Sequence, residues 1–303
     1  MNKLDLMKIV LSVIDPEYPN VHVEKIGEDE TIIKKAIKLA ERNGLYYYFI
    51  YRLKELGVNL PSSEENRWEE ENKKLSEFKK IISLLNEISQ DCGINYILIK
   101  ACTTLPHIPR DVDILVHKED KEKIIRALEN KGMKCIHSDD VDTTLIKGKY
   151  MKVDVYTGIC YFTVDFIDDE FLWKLSVKDK MFGIEYTGLR EEANFLVTLV
   201  HSLFGHRSMS LLDFLHMKYL MRNIQDMDFC RKYAYKKGWG LAFDLALRRI
   251  ESIHERIYKG GEVVYFPYLF DRKFVLQCIS AVSYTHLRAH ETEADLVCRL
   301  LLE

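Results

Sequence analysis

Apolar positions recur along this chain with two different periods, and the change of period divides it into three stretches. Ile32, Ile33, Ala36, Leu39 and Ala40 follow helical spacing and stop at Asn43-Gly44, which predicts a first helix. A second helix is expected over 45–56, closed by Gly57. Its run Tyr46-Tyr47-Tyr48-Phe49 covers several helix faces, which favours packing between helices over base stacking. Ser62 and Glu65 have the spacing of a capping box and open a long helix through Ile88. Trp68, Leu75, Phe78, Ile81, Ile82, Leu85 and Ile88 form one stripe on it, and the charged half from Arg67 to Lys74 reads as a solvated face.

From about residue 91 the period falls to two. Tyr96-Ile97-Leu98-Ile99 is a β-rich run ending at Lys100, and Asp111-Val112-Asp113 leads into Ile114-Leu115-Val116. A helix over 119–131 ends at Gly132, and a hairpin of 143–147 with 149–156 turns at Gly148. A short strand follows over 181–187. Beyond Glu191 helical spacing returns, with Phe195, Leu196, Leu199 and Val200 on a stripe that reaches His201, Leu203 and Phe204. Another helix enters at 210–214, and 232–256 reads as two more, separated near Gly238. The expected fold is α+β. A small mixed β-sheet core (91–188) is flanked by an N-terminal helical region (1–90) and a C-terminal one (189–281).

The middle stretch carries the chemistry. Side chains at i and i+2 of a strand leave one face, so Asp111 and Asp113 point the same way. Paired carboxylates repel unless a cation lies between them, and hard oxygen ligands select Mg²⁺ or Mn²⁺. The preceding loop holds Lys100, Thr103, Thr104 and Arg110, a cation and hydroxyl supply suited to a triphosphate. Asp154, in the alternating segment Lys152-Val153-Asp154-Val155-Tyr156, is a further metal ligand or the base for an incoming hydroxyl. An isolated Asp-x-Asp is usually only a solvated strand edge. The strand, loop and third acid around this one are what raise it to a candidate site.

These residues resemble the DNA-polymerase-β-like nucleotidyltransferase superfamily, and within it the uncharacterised prokaryotic nucleotidyltransferase-like proteins. The shared signature is a small-residue turn, a spacer, an Asp-x-Asp strand and a later Asp. It covers 93–156 by motif and about 30–225 by architecture. The resemblance implies a metal-dependent enzyme that moves a nucleoside monophosphate from an NTP to an acceptor and releases pyrophosphate. It makes Asp111 and Asp113 metal ligands, Asp154 the third carboxylate, and sets Lys100, Thr103 and Thr104 against nucleotide phosphates. The acceptor is left open between a small molecule, a protein side chain and an RNA end. The usual Gly followed by Gly or Ser is here Ala101-Cys102, and Ala does not take positive φ cheaply. That departure keeps a second reading in view: a catalytically weak or inactive binding or regulatory protein, such as an antitoxin-like partner. A third, RNA binding through Lys34, Lys35, Lys38 and Arg42, is disfavoured by charge. His201, His206, Arg207 and Asp213 form a polar group in the C-terminal helices, where a structural His201–Asp213 contact is expected over a role in binding substrate. His216 and His254 read as ordinary surface or packing residues.

Residues 282–303 resemble a translated sequencing-library adapter. On that reading the native sequence diverges near Ala281, and His286, His290 and Cys298 carry no function. Without this tail, 42 basic and 43 acidic residues leave the chain near neutrality, against a protein that coats nucleic acid. Composition is 47% hydrophobic and 30% charged with no run of eighteen apolar residues, so a soluble protein without membrane spans is expected. The cysteines before the tail, at 92, 102, 135, 160, 230 and 278, show no CxxC spacing, which fits a reducing cytoplasm and argues against a zinc or disulfide framework.

Overall fold

In the computed structural model, residues 3–19, 29–101, 104–139, 142–148, 151–161, 164–259 and 270–282 are described. Helices α1 (Lys3–Ile14), α2 (Glu30–Arg42), α3 (Tyr46–Glu55) and α4 (Ser62–Cys92) lead into the sheet. The strands β1 (Tyr96–Leu98), β2 (Asp111–Val116), β3 (Lys134–Ser138), β4 (Asp142–Lys147) and β5 (Met151–Tyr156) lie in the order β1-β2-β5-β4-β3. Only the β2–β5 pairing is parallel. Its crossover carries α5 (Lys121–Asn130), entered through a tight turn at Lys118–Asp120. The fold is α+β, as the change of period predicts.

Alternation assigns the two faces of this sheet. Val112, Ile114, Val153, Val155 and Leu145 are buried against α4 and α5, with Phe78, Ile81, Ile82, Leu85, Ile124 and Leu128 as the helical half of that core. The opposite face carries the acids and, through Ile97, Ile99 and Leu115, joins a second core. That second core is built from both ends of the chain. Buried residues of α1, α2 and α3 pack with those of α7 (Glu191–Val200), α8 (Leu211–Asn223), α10 (Gly240–Tyr258) and α11 (Arg272–Ser280). Between the sheet and these helices come a hairpin of β6 (Ile159–Tyr161) and β7 (Val164–Ile167), the short α6 (Asp169–Lys174), and a hairpin of β8 (Ser176–Met181) and β9 (Ile184–Leu189); α9 (Met227–Lys236) precedes α10.

Three local expectations are corrected. Helix α4 begins at Ser62 without a capping box: Pro61 stands at the cap and no side chain caps the helix. Tertiary partners claim the acids instead, with Tyr46 donating to Glu64 at 2.9 Å and Lys54 pairing with Glu65 at 2.8 Å. The strand expected over 181–187 is interrupted by a turn at Phe182 (φ 49°) and Gly183 (φ 85°), the paired positive φ of a tight hairpin. Strand β3 was not anticipated. It is exposed along its length, so its alternation leaves no apolar signal. The tyrosine run does pack between helices: Tyr46 and Phe49 are buried and Tyr47 stacks on Trp68, with ring centroids 4.8 Å apart.

Candidate active site

The parallel register of β2 and β5 assembles the acids. Asp113 lies directly beside Asp154, and Asp111, two residues earlier, shares their face. Strand β4 extends it, placing Thr144 beside Asp154 and Asp142 beside Tyr156. A one-residue slip would turn all these polar groups into the core against α4, so the burial of Val112, Val153 and Val155 fixes the register of the site.

Two of these carboxylates, Asp111 and Asp142, are perturbed by their surroundings. Burial, then the like charges of Asp113 and Asp154, push the Asp111 carboxyl above its ordinary value, with Lys100 opposing. The Asp142 carboxyl is raised by burial and by Asp139. Oδ1 of Asp154 is buried and finds no hydrogen-bond partner among the described residues. An all-oxygen donor set with an orphaned buried oxygen fits a hard divalent cation, which Asp111, Asp113 and Asp154 are the residues present to hold.

Lys100 closes the group. Ile99 donates its amide to the carbonyl of Asp113 at 2.9 Å, which prolongs the β1–β2 pairing and sets Lys100 just past the strand end. Its backbone is left-handed (φ 55°), an uncommon conformation for a residue with a Cβ. The ammonium nitrogen sits 2.8 Å from Oδ1 of Asp113 and 3.8 Å from the Tyr156 ring centroid. Thr104 goes elsewhere: its hydroxyl is 2.7 Å from Nδ1 of His216 on α8. His216 is buried rather than a surface residue, and desolvation pushes its pKa down to about 3, so the ring is neutral. Arg110 is exposed just before β2, Ala101 is buried, and Cys102 and Thr103 lie outside the described residues.

His201 and Asp213 do not meet. Asp213 accepts from the Ser210 amide and hydroxyl and completes the capping box that opens α8. His201 turns to Tyr161 instead, with Nδ1 2.6 Å from the phenol oxygen. The pairing depends on a π-helical turn, His201–Gly205, that continues α7, closed by the His206 amide donating to the His201 carbonyl at 2.8 Å. Burial, with Lys100 and His206 nearby, pushes His201 down to about 3, and burial raises Tyr161, so both members are neutral. They line a cleft of about 460 Å³ with Lys100, Asp142, Tyr156 and Arg207, and Lys100 links this cleft to Asp113. Sequence reasoning passed over Asp142 and Tyr161. Strand parity, which places Asp142 two residues before Thr144 on the face of Asp154, held the signal for the first; nothing local marks the second. At the exposed β3–β4 end, His137, Asp139 and Asp142 bring one ligand atom each within 4.8 Å of one another.

The sequence profile of a family described as uncharacterised nucleotidyltransferase matches residues 29–252, most of the chain. The chain belongs to this nucleotidyltransferase family. Among solved structures, the lincomycin-bound lincosamide antibiotic adenylyltransferase LnuA is 18% identical, with a TM-score of 0.35 over 47% of this chain and 96% of that one. The antibiotic-resistance factor ANT(2'')-Ia is 10% identical, with a TM-score of 0.39 over 58% and 98%. An antigenic nucleotidyltransferase-like protein from Paracoccidioides brasiliensis is also 10% identical, with a TM-score of 0.38 over 63% and 95%. No curated protein matches the chain. The matched residues span the whole candidate site, from Lys100 to the His201 turn. No helix among the described residues is long and apolar enough to cross a membrane.

Proposed function

We propose that this nucleotidyltransferase is an active, metal-dependent enzyme that moves a nucleoside monophosphate from an NTP such as ATP to an acceptor. The acceptor oxygen or nitrogen bonds to the α-phosphorus, the bond to the β-phosphate oxygen breaks, and pyrophosphate leaves. The observation that carries this reading is the register pairing of Asp113 with Asp154, with Asp111 on the same face. Mg²⁺ or Mn²⁺ held by these carboxylates supplies charge neutralisation at the transferring phosphate. The chain's own groups bind and orient. Lys100 meets phosphate oxygens, with Thr103 and Arg110 as further contacts from the same loop, while the expected contact from Thr104 gives way to its bond with His216. Asp154 serves as a ligand or as the acceptor's proton acceptor. The cleft floored by Tyr161 and His201 supports a place for an uncharged portion of a substrate, because both groups are neutral and hydrogen-bonding. Asp213 takes no part, being committed to its cap. Cys92, Cys135, Cys230 and Cys278, in no disulfide among the described residues, support residence in a reducing cytoplasm.

Incubation with α-labelled ATP, CTP, GTP and UTP, either metal and cell extract tests this. Label transferred to a small molecule, protein or RNA, and absent with Asp113→Asn or EDTA, is the expected result. No transfer and no metal-dependent nucleotide binding would instead favour the second reading, a regulatory protein that keeps the fold and binds a protein partner. Ala101 in place of the usual Gly is the observation behind that alternative.

A further inference from the structure

Three non-glycine residues among those described have positive φ: Lys100, Phe182 and Arg207. Phe182 sits in a hairpin turn and is held there by edge-on packing against Tyr47 and Phe78. Lys100 has a different support. Its ammonium sits over the Tyr156 ring and pairs with Asp113, the carboxylate at the centre of the acid group. Both partners are largely withdrawn from water, with side chains 11% and 12% exposed, so the pair is not a screened surface contact. Asp111 and Asp142 also lie in the field of this ammonium. One fixed positive charge is thus built into the place where a divalent cation would neutralise the acids. Strain of this kind persists where the surroundings over-determine it, and it gathers at working sites.

We infer that Lys100 is a resident counter-ion that competes with the divalent cation for Asp113 and makes metal binding depend on triphosphate. The inference rests on the metal-dependent reading above. Two cations within a few ångströms of one carboxylate repel, so metal alone binds against the charge of Lys100. A triphosphate removes that opposition, because it offers the displaced ammonium an anionic partner beside the same site. Metal and triphosphate therefore bind with positive coupling, each raising the affinity of the other. The acids stay partly neutralised until both have arrived. Lys100 is thus a positioning residue as much as a phosphate ligand.

The full chain, wild type and with Lys100→Met, Lys100→Gln or Asp113→Asn, is titrated with Mn²⁺ alone and with preformed Mn²⁺–inorganic triphosphate. Free Mn²⁺ is read by paramagnetic resonance and complex binding by calorimetry, with circular dichroism as the check of folding. Removing the lysine charge should tighten Mn²⁺ alone by about tenfold or more and weaken the triphosphate complex. A merely structural lysine does not produce opposite changes. Folded neutral variants whose Asp113-dependent Mn²⁺ affinity is unchanged or weaker overturn the inference and leave the metal site standing. No Asp113-dependent Mn²⁺ binding in any variant overturns both. If neither neutral variant folds, Lys100→Arg assigns the ¹³C-methyl-lysine signal of the wild type; a Lys100 signal unmoved by Mg²⁺ also overturns it.

Discussion

Gly205 is the tightest point of the candidate site, and replacing it sets two known effects against each other. A Cβ added there would lie 2.9 Å from Nδ1 of His201 and 2.9 Å from Cε1 of Tyr161, with Tyr161 Cζ at 3.1 Å. Helix propensity alone says that Gly205→Ala should stabilise, by about 0.5–1 kcal/mol. Overpacking against two rings says the reverse, by about 1–3 kcal/mol. Neither ring is free to yield, because the 2.6 Å contact between them would have to open. Losing that hydrogen bond adds about 0.5–1.5 kcal/mol. The clash therefore wins, and Gly205→Ala should lose about 0.5–4 kcal/mol. The assay is thermal and urea unfolding of wild type, Gly205→Ala, Tyr161→Ala and the double variant. If the reasoning holds, the double variant is less destabilised than the two single changes added, because the shortened side chain makes room. A Gly205→Ala protein that melts above wild type would refute the close packing of the turn, and with it the shape assigned to the cleft.

The other expected outcomes concern charge and burial. Lys218 pairs with Asp15 at 2.8 Å, with side chains 8% and 7% exposed, and Tyr258 donates to the same carboxylate. Lys218→Met should lose about 3–5 kcal/mol in urea unfolding, and adding Asp15→Leu should recover much of it; an unchanged midpoint for the single variant would show the pair to be solvated. Asp111 has a raised pKa in the folded chain, so it binds protons more tightly there, and its contribution turns unfavourable as pH rises above the ordinary carboxylate value of 3.8. In EDTA, Asp111→Asn should melt above wild type at pH 7 and lose that advantage as the pH is lowered to 3.8; a variant that melts lower at pH 7 would contradict the burial assigned to this acid. Thr104→Val should lose about 1–3 kcal/mol by leaving the buried Nδ1 of His216 unpartnered, and wild-type stability would mean that water reaches the ring.

The acid strand was legible because period-two alternation is a local property: Asp111, Asp113 and Asp154 announce their face within five residues of sequence. Their juxtaposition was legible only through resemblance, since parallel pairing across a helical crossover leaves no mark in composition. Long amphipathic helices such as α2 and α4 were also readable, by their stripes. Helix α1 was not singled out, because it is apolar on nearly every side and leaves no clear stripe. Separation in sequence defeated the reading of His201. Its partner Tyr161 stands 40 residues earlier on a hairpin, whereas the expected partner Asp213 lies much closer in sequence, on the next helix. Side chains claimed by tertiary partners, as Glu65 is by Lys54, fail local rules for the same reason.

The core shared by the first and last helices has a consequence for synthesis. Asp15 meets Lys218 across 203 residues and Tyr258 across 243. At about 5–20 residues per second, α1 leaves the ribosome some 10–40 seconds before Lys218 exists. For that interval its apolar surface, Met7, Val10, Leu11 and Ile14, has none of its C-terminal partners in place. The sheet and its two covering helices can be complete by residue 156, while the layer that encloses the acids waits for the chain to finish. Premature termination would therefore yield a formed sheet with open acids and a sticky N-terminal helix, a species for chaperones and proteases to handle rather than a smaller folded protein.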